Sequence, residues 1–228
     1  MRIKKTAKFV IGIDEVGRGA LAGPVVVVAA AVRVYAVSRI QNSAGMKLRD
    51  SKKLSARQRE EWVAHFKICP DIAFSVARVY PRGIERMNIS RAANLAALRA
   101  CRRLVAKRLS LSVQRGLQSA QRSALGDTPV FLDGGLYLAN GKWQTAHCPG
   151  AKTMVKADEK IPAVAVASVI AKVSRDRFMR RLAKKYPEYG FEAHKGYGTK
   201  AHYRALKKHG ASPVHRLTFL KKRPIIGG

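Results

Sequence analysis

Acidic residues are scarce in this chain, and that scarcity is the first constraint on its function. Only 14 Asp and Glu stand against 45 Lys and Arg, a formal charge of +31. Such an excess disfavours cationic partners and makes a polyanion the expected one, nucleic acid ahead of a membrane surface. Cysteine is scarce too: Cys69, Cys101 and Cys148 are odd in number, widely spaced and form no CxxC pair. A disulfide framework and a zinc site are therefore disfavoured, and a reducing cytoplasm is the expected compartment. No long apolar run follows Met1-Arg2-Ile3-Lys4-Lys5, so no signal peptide is read there. The longest apolar stretch, residues 21–32, is broken by Gly23 and Pro24 and is too short to span a bilayer. A soluble protein without membrane contact is expected.

What remains is ample for a folded domain. At 228 residues and 47% apolar content the chain can bury a sizeable core. Residues 9–14 read as a buried strand, and residues 25–35 as a second, valine-rich one long enough to bend or continue as a hairpin. Ser55 with Gln58 forms a capping-box signature that opens a helix to about Lys67. Residues 71–80 alternate as a strand closed by Pro81. A long helix is expected over residues 89–109, with Ala92, Leu95, Leu98 and Val105 near one face and Arg91, Arg99 and Arg102 exposed. Residues 111–127 read as a loop or frayed helix end, 129–133 as a short buried strand, and 136–150 as a hairpin-like insert turning at Asn140-Gly141. A strand over 153–156 leads to Asp158. Pro162 suits the first turn of a helix reaching about Lys185. Thr199 caps a last short helix to His209, with Gly210 as its stop. Strands alternating with helices give an α/β fold around a mixed sheet.

The densest signal is Asp14-Glu15-Val16-Gly17-Arg18-Gly19 at the end of the first strand. Adjacent carboxylates there repel each other, and desolvation raises the cost of their charge. A hard divalent cation relieves that repulsion, and oxygen ligands suit Mg²⁺ or Mn²⁺. Gly17 and Gly19 let the backbone approach another molecule closely, with Arg18 between them as a phosphate fork. A polar turn after a core strand is the ordinary alternative. Asp133 and Asp158 also follow strand-like segments, and in an α/β sheet such ends can converge on one edge. Four acidic donors together would hold two ions, the arrangement that serves in-line phosphoryl displacement. Separately, Asp133 before Gly134 is equally a turn former, and Asp158 a surface ion-pair partner or helix cap.

These residues resemble type 2 ribonucleases H, the ribonuclease HII family. The resemblance rests on the 14–19 block, Asp50-Ser51-Lys52-Lys53-Leu54-Ser55, Met87-Asn88-Ile89, Leu132-Asp133-Gly134, Asp158 with the run from Ala167 to Asp176, and His194-Lys195-Gly196-Tyr197-Gly198-Thr199. It implies a ribonuclease H-like mixed sheet flanked by helices over residues 1–190, with a short helical extension and basic tail over 191–228. It further implies an endoribonuclease that cuts the RNA strand of RNA/DNA hybrids, and cuts 5′ to single ribonucleotides embedded in duplex DNA. By the same resemblance Asp14, Glu15, Asp133 and Asp158 are catalytic and hold two Mg²⁺ or Mn²⁺ ions. Gly17, Arg18 and Gly19 read the 2′-hydroxyl, and Tyr197 stacks on the neighbouring sugar. Lys52 and Lys160 are candidate phosphate contacts. A monomer is expected, and the motifs address no replication-clamp contact.

Two departures stand out: Ala20 follows the glycine loop where Pro or Cys is usual, and Ala157 precedes the fourth acid where Gly is usual. Asp176, the rival fourth ligand, is read as a structural ion-pair residue. His194, His202, His209 and His215 share no metal-ligand spacing, so most are expected at the surface or in loops. Trp62 and Phe66 are expected in the core, and Arg102, Arg103, Lys107 and Arg108 on a solvated helix face. Two rival readings are a different nuclease or strand transferase on the same fold, acting on another substrate, and a non-catalytic nucleic-acid binder. The type 3 relatives are disfavoured by Arg18.

Overall fold

The computed structural model describes residues 7–37, 48, 51, 53–114, 128–138 and 150–221. Five strands form one mixed sheet in the order β3-β2-β1-β4-β5. Strand β1 (Phe9–Val16) pairs antiparallel with β2 (Val25–Arg33), and β2 antiparallel with β3 (Ile72–Val79). Strand β4 (Val130–Asp133) runs parallel to β1, and β5 (Lys152–Met154) parallel to β4. The valine-rich segment is one unbroken strand rather than a hairpin, because both of its faces are covered.

The helices divide between the two faces. Helix α1 (Ala56–Ile68), short α2 (Pro81–Met87) and long α3 (Ile89–Gln114) come before β4. Short α4 (Ala157–Lys160) and long α5 (Pro162–Lys185) come after β5. Strand alternation sorts the core: Val10, Val28, Ala30 and Phe131 pack on α5 and α1, while Ile11, Ile13, Val27 and Leu132 pack on α3. Gly12 marks the tightest contact, since a Cβ there would lie 2.2 Å from the backbone of Ala163 and Val164 in α5. Trp62 and Phe66 are buried and stacked at 5.3 Å, as expected. The expected capping box is present: Gln58 N–H donates to Ser55 Oγ, and Ser55 N–H donates to Gln58 Oε1.

Helix α3 outruns its expected end at residue 109, consistent with the lack of Gly or Pro before Gly116. The 115–127 segment and the insert turn at Asn140-Gly141 lie outside the described residues. Past α5 the chain forms a 3₁₀ turn (Pro187–Tyr189), α6 (Phe191–His194), α7 (Lys200–His209) and α8 (Leu217–Lys221). Phe191, Leu206 and Leu220 pack here with Leu21, Ala22 and Met179. Two of the histidines correct the expectation of surface positions: His202 is 0% exposed and His215 2%. Packing against Tyr189 and Phe191 buries their rings, and their nitrogens satisfy one another. Among the described residues no helix is long and apolar enough to cross a membrane.

Candidate active site

Strands β1 and β4 place the first three acids. Ile13 pairs with Leu132 in the parallel ladder, so Asp14 and Asp133, each one residue further on, lie side by side; Asp133 ends β4, whereas β1 runs past its expected end at residue 14 to Val16, still paired with β2. Successive side chains on a strand point to opposite faces. Asp14 accordingly lies on the α5 side, toward Ser168, and its Oδ1 accepts the Glu15 amide at 2.7 Å. Glu15 lies toward α3, 3.4 Å from Arg18 Nη1. Asp133 Oδ1 accepts the Ala157 amide at 2.8 Å, which brings the first turn of α4 against the end of β4.

Asp158 departs from its expected setting. It does not end a strand: the chain leaves β5 at Met154, turns through Lys156 at φ 56°, and carries Asp158 in the first turn of α4. Its side chain is nevertheless buried, and its backbone adjoins the amide that Asp133 holds.

The electrostatics of the cluster are unfavourable as it stands. Burial pushes Asp14 well above the usual carboxylate range, with Glu15 and then Asp133 adding to the rise against the opposing Ser168 hydrogen bond. Glu15 is pushed up to about 7, again first by burial and with a contribution from Asp133, while Arg18 pulls it down. Glu15 Oε2 is buried without a hydrogen-bond partner. Such a set calls for protons or cations. Among the described residues no three His, Cys, Asp or Glu are already gathered around one point.

The glycine loop follows directly. Gly17 adopts φ 88° and is buried, whereas Gly19 is exposed with open space where a Cβ would stand. Arg18 is folded back onto Glu15, the Gly135 carbonyl at 3.1 Å and the Ser90 hydroxyl at 3.2 Å. Tyr197 lies nearby in the chain's second half, its ring 5.1 Å from the Arg175 guanidinium. Gly196 ties that segment to the loop, its carbonyl accepting from Leu21 N–H at 2.8 Å and Ala22 N–H at 3.3 Å. Lys160 is exposed and donates to the Val155 carbonyl at 3.3 Å. Lys52 lies outside the described residues. Asp176 is engaged by Lys172 at 3.3 Å and Arg59 at 3.9 Å, in keeping with an ion-pair residue.

Sequence reasoning missed several supporting groups. Ser168 shares a hydrogen bond of 2.9 Å with Ser51, linking the 50–55 block to Asp14. Ser90 and Asn94, in the first turns of α3, hold Arg18 and the Tyr137 amide. Arg175 and Arg216 are fully buried beneath the loop. Ser51 and Ser168 fall inside blocks that the resemblance marks, but nothing in the sequence signals that two arginines are internal.

Comparison with known proteins bears on the same residues. The ribonuclease HII family profile matches residues 11–222. The ribonuclease HII of Delftia acidovorans is 40% identical over 211 residues, covering 92% of this chain and 75% of that protein. Among solved structures, the PCNA:RNase HII complex from Archaeoglobus fulgidus gives a TM-score of 0.64 at 22% identity, covering 96% of this chain and 97% of that one. Bst-RNase HIII in complex with Mn²⁺ gives 0.62 at 20% identity, covering 90% and 64%. The two solved structures establish the ribonuclease H-like fold. Matched across nearly its whole length, this chain belongs to the ribonuclease HII family and is a nuclease of the ribonuclease H class.

Proposed function

We propose that this protein hydrolyses the RNA strand of RNA/DNA hybrids and cuts 5′ to single ribonucleotides in duplex DNA, leaving a 3′-hydroxyl and a 5′-phosphate. The observation that carries the reading is the mutual repulsion of Asp14, Glu15 and Asp133 near the ends of adjacent strands, beside a glycine loop exposed at Gly19. The donor set fits divalent ions: it is all oxygen, too costly to keep charged alone, and leaves Glu15 Oε2 unsatisfied. Asp14, Glu15, Asp133 and Asp158 would hold two Mg²⁺ or Mn²⁺ ions. When bound there, such ions supply activation of the attacking water and stabilise the leaving 3′-oxygen.

The chain's own residues do the rest. Ser168, backed by Ser51, steadies Asp14, and the Ala157 amide steadies Asp133. Backbone groups of Gly17, Arg18 and Gly19 meet the 2′-hydroxyl, the group that separates RNA from DNA. Tyr197 stacks on the next sugar, and Lys52 and Lys160 attract flanking phosphates. The protein acts as a monomer in the cytoplasm, with residues 191–228 as an extension that carries part of the substrate surface.

The test is a cleavage assay on a duplex holding one ribonucleotide. Asp133→Asn keeps the acceptor for the Ala157 amide but loses the charge, so cleavage with Mg²⁺ should be abolished while duplex binding persists. Cleavage at the normal rate would refute the assignment, as would full activity in excess chelator.

A further inference from the structure

Arg216 sits between the His215 turn and α8, with 0% exposure. Among the described residues it has no acidic partner within ion-pair distance, an expensive arrangement for a buried cation. Burial pulls it down to about 9, with Arg175 adding, so it remains charged at neutral pH. Its partners are backbone oxygens of a single loop. Nη1 donates to the Arg18 carbonyl at 2.8 Å, Nη2 to Gly17 at 2.7 Å and Gly23 at 2.9 Å, and Nε to Gly23 at 3.1 Å. Its own amide donates to the Leu21 carbonyl at 2.7 Å. Arg175 completes the grip, donating to Ala22 at 3.1 Å and Pro24 at 3.2 Å. A Cβ on Gly17 would stand 2.2 Å from Arg175 Nε, so the backbone lies directly on that guanidinium.

The geometry points to Arg216 as a positioning residue that turns the amide edge of the Gly17-Arg18-Gly19 loop toward the nucleic acid. In a planar trans peptide the C=O and N–H point in opposite directions. With the Gly17 carbonyl drawn inward, the Arg18 amide faces outward; with the Arg18 carbonyl drawn inward, the Gly19 amide does the same. Neither amide donates to any of the described residues. Two parallel donors beside the carboxylates suit an acceptor oxygen of the sugar-phosphate backbone, the ribose 2′-oxygen above all. A lysine could not hold the set, because the grip needs a planar fork that reaches three carbonyls at once.

The proposal rests on the ribonucleotide-cutting reading, and the experiment separates the two. In the Asp133→Asn background, binding is measured by anisotropy with Mg²⁺ on two duplexes that differ only by one ribonucleotide. The parent should prefer the ribonucleotide duplex. Arg216→Lys and Arg216→Gln should each lose about tenfold of that preference, the worth of one well-aligned hydrogen bond, with DNA-only affinity unchanged. An unchanged preference in either folded variant would overturn the assignment. So would equal weakening on both duplexes, or unfolding of Arg216→Lys, since the residue would then serve the fold alone. A parent with no preference would refute the substrate reading and the role of Arg216 with it, a result distinct from a preference that survives in the variants.

Discussion

Gly12 is the residue on which the approach of sheet and helix depends. The strand signal of residues 9–14 does not require a glycine, yet α5 crosses so closely that any side chain meets the backbone of Ala163 and Val164. Backbone cannot rotate away as a flexible side chain can, so Gly12→Ala forces the helix off the strand that carries Asp14. Overpacking of this kind costs roughly 2–3 kcal/mol, which should lower the unfolding temperature by about 5–10 °C. Calorimetry of the variant checks this, and an unchanged melting temperature would show that α5 can shift freely. The acids themselves were legible for a related reason. In so basic a chain, carboxylates at the ends of apolar runs have no solvating role to explain them. Arg175, Arg216, His202 and His215 were not legible, because local sequence treats Arg and His as surface residues and only remote partners make burial tolerable.

The C-terminal element depends on a neutral histidine relay. Ser212 N–H donates to His215 Nδ1 at 3.0 Å, His215 Nε2 meets His202 Nε2 at 3.0 Å, and His202 Nδ1 meets the Tyr197 carbonyl at 3.0 Å. That order fixes one tautomer for each ring: His202 carries its proton on Nδ1 and His215 on Nε2. Burial lowers both from 6.5 to about 4, with the neighbouring histidines contributing to the fall. A depressed histidine contributes stability that is present above pH 6.5 and is lost as pH falls toward about 4. Added protons place two N–H groups face to face and break the relay beneath Tyr197. Amide exchange over residues 199–216 should therefore quicken at pH 4.5 relative to pH 7, corrected for intrinsic rates, while the sheet stays protected. Equal protection at the two pH values would contradict it. The caps of α1 and α7 were readable from Ser55, Gln58 and Thr199 because capping is local. The short α4 was not, since its start depends on the left-handed turn at Lys156.

Across the whole molecule, a charge of +31 makes attraction to nucleic acid strong and indifferent to sequence. Binding to any duplex should fall steeply with salt, by roughly 10³-fold between 50 and 200 mM if about six phosphates are contacted. The proposed preference for a ribonucleotide should persist over that range, because the hydrogen bonds assigned to it are short-range. Anisotropy titrations across salt concentrations test both statements; a preference that disappeared with the bulk attraction would locate discrimination in charge rather than in the loop. The order of synthesis adds a further consequence. Gly17 and Arg18 lie 199 and 198 residues before the arginine that anchors them. A growing chain thus contains Asp14, Glu15, Asp133 and Asp158 well before the arginine that grips the loop is made. On the assignment made for Arg216, the loop gains its brace only after residue 216 has been synthesised, long after the residues it holds.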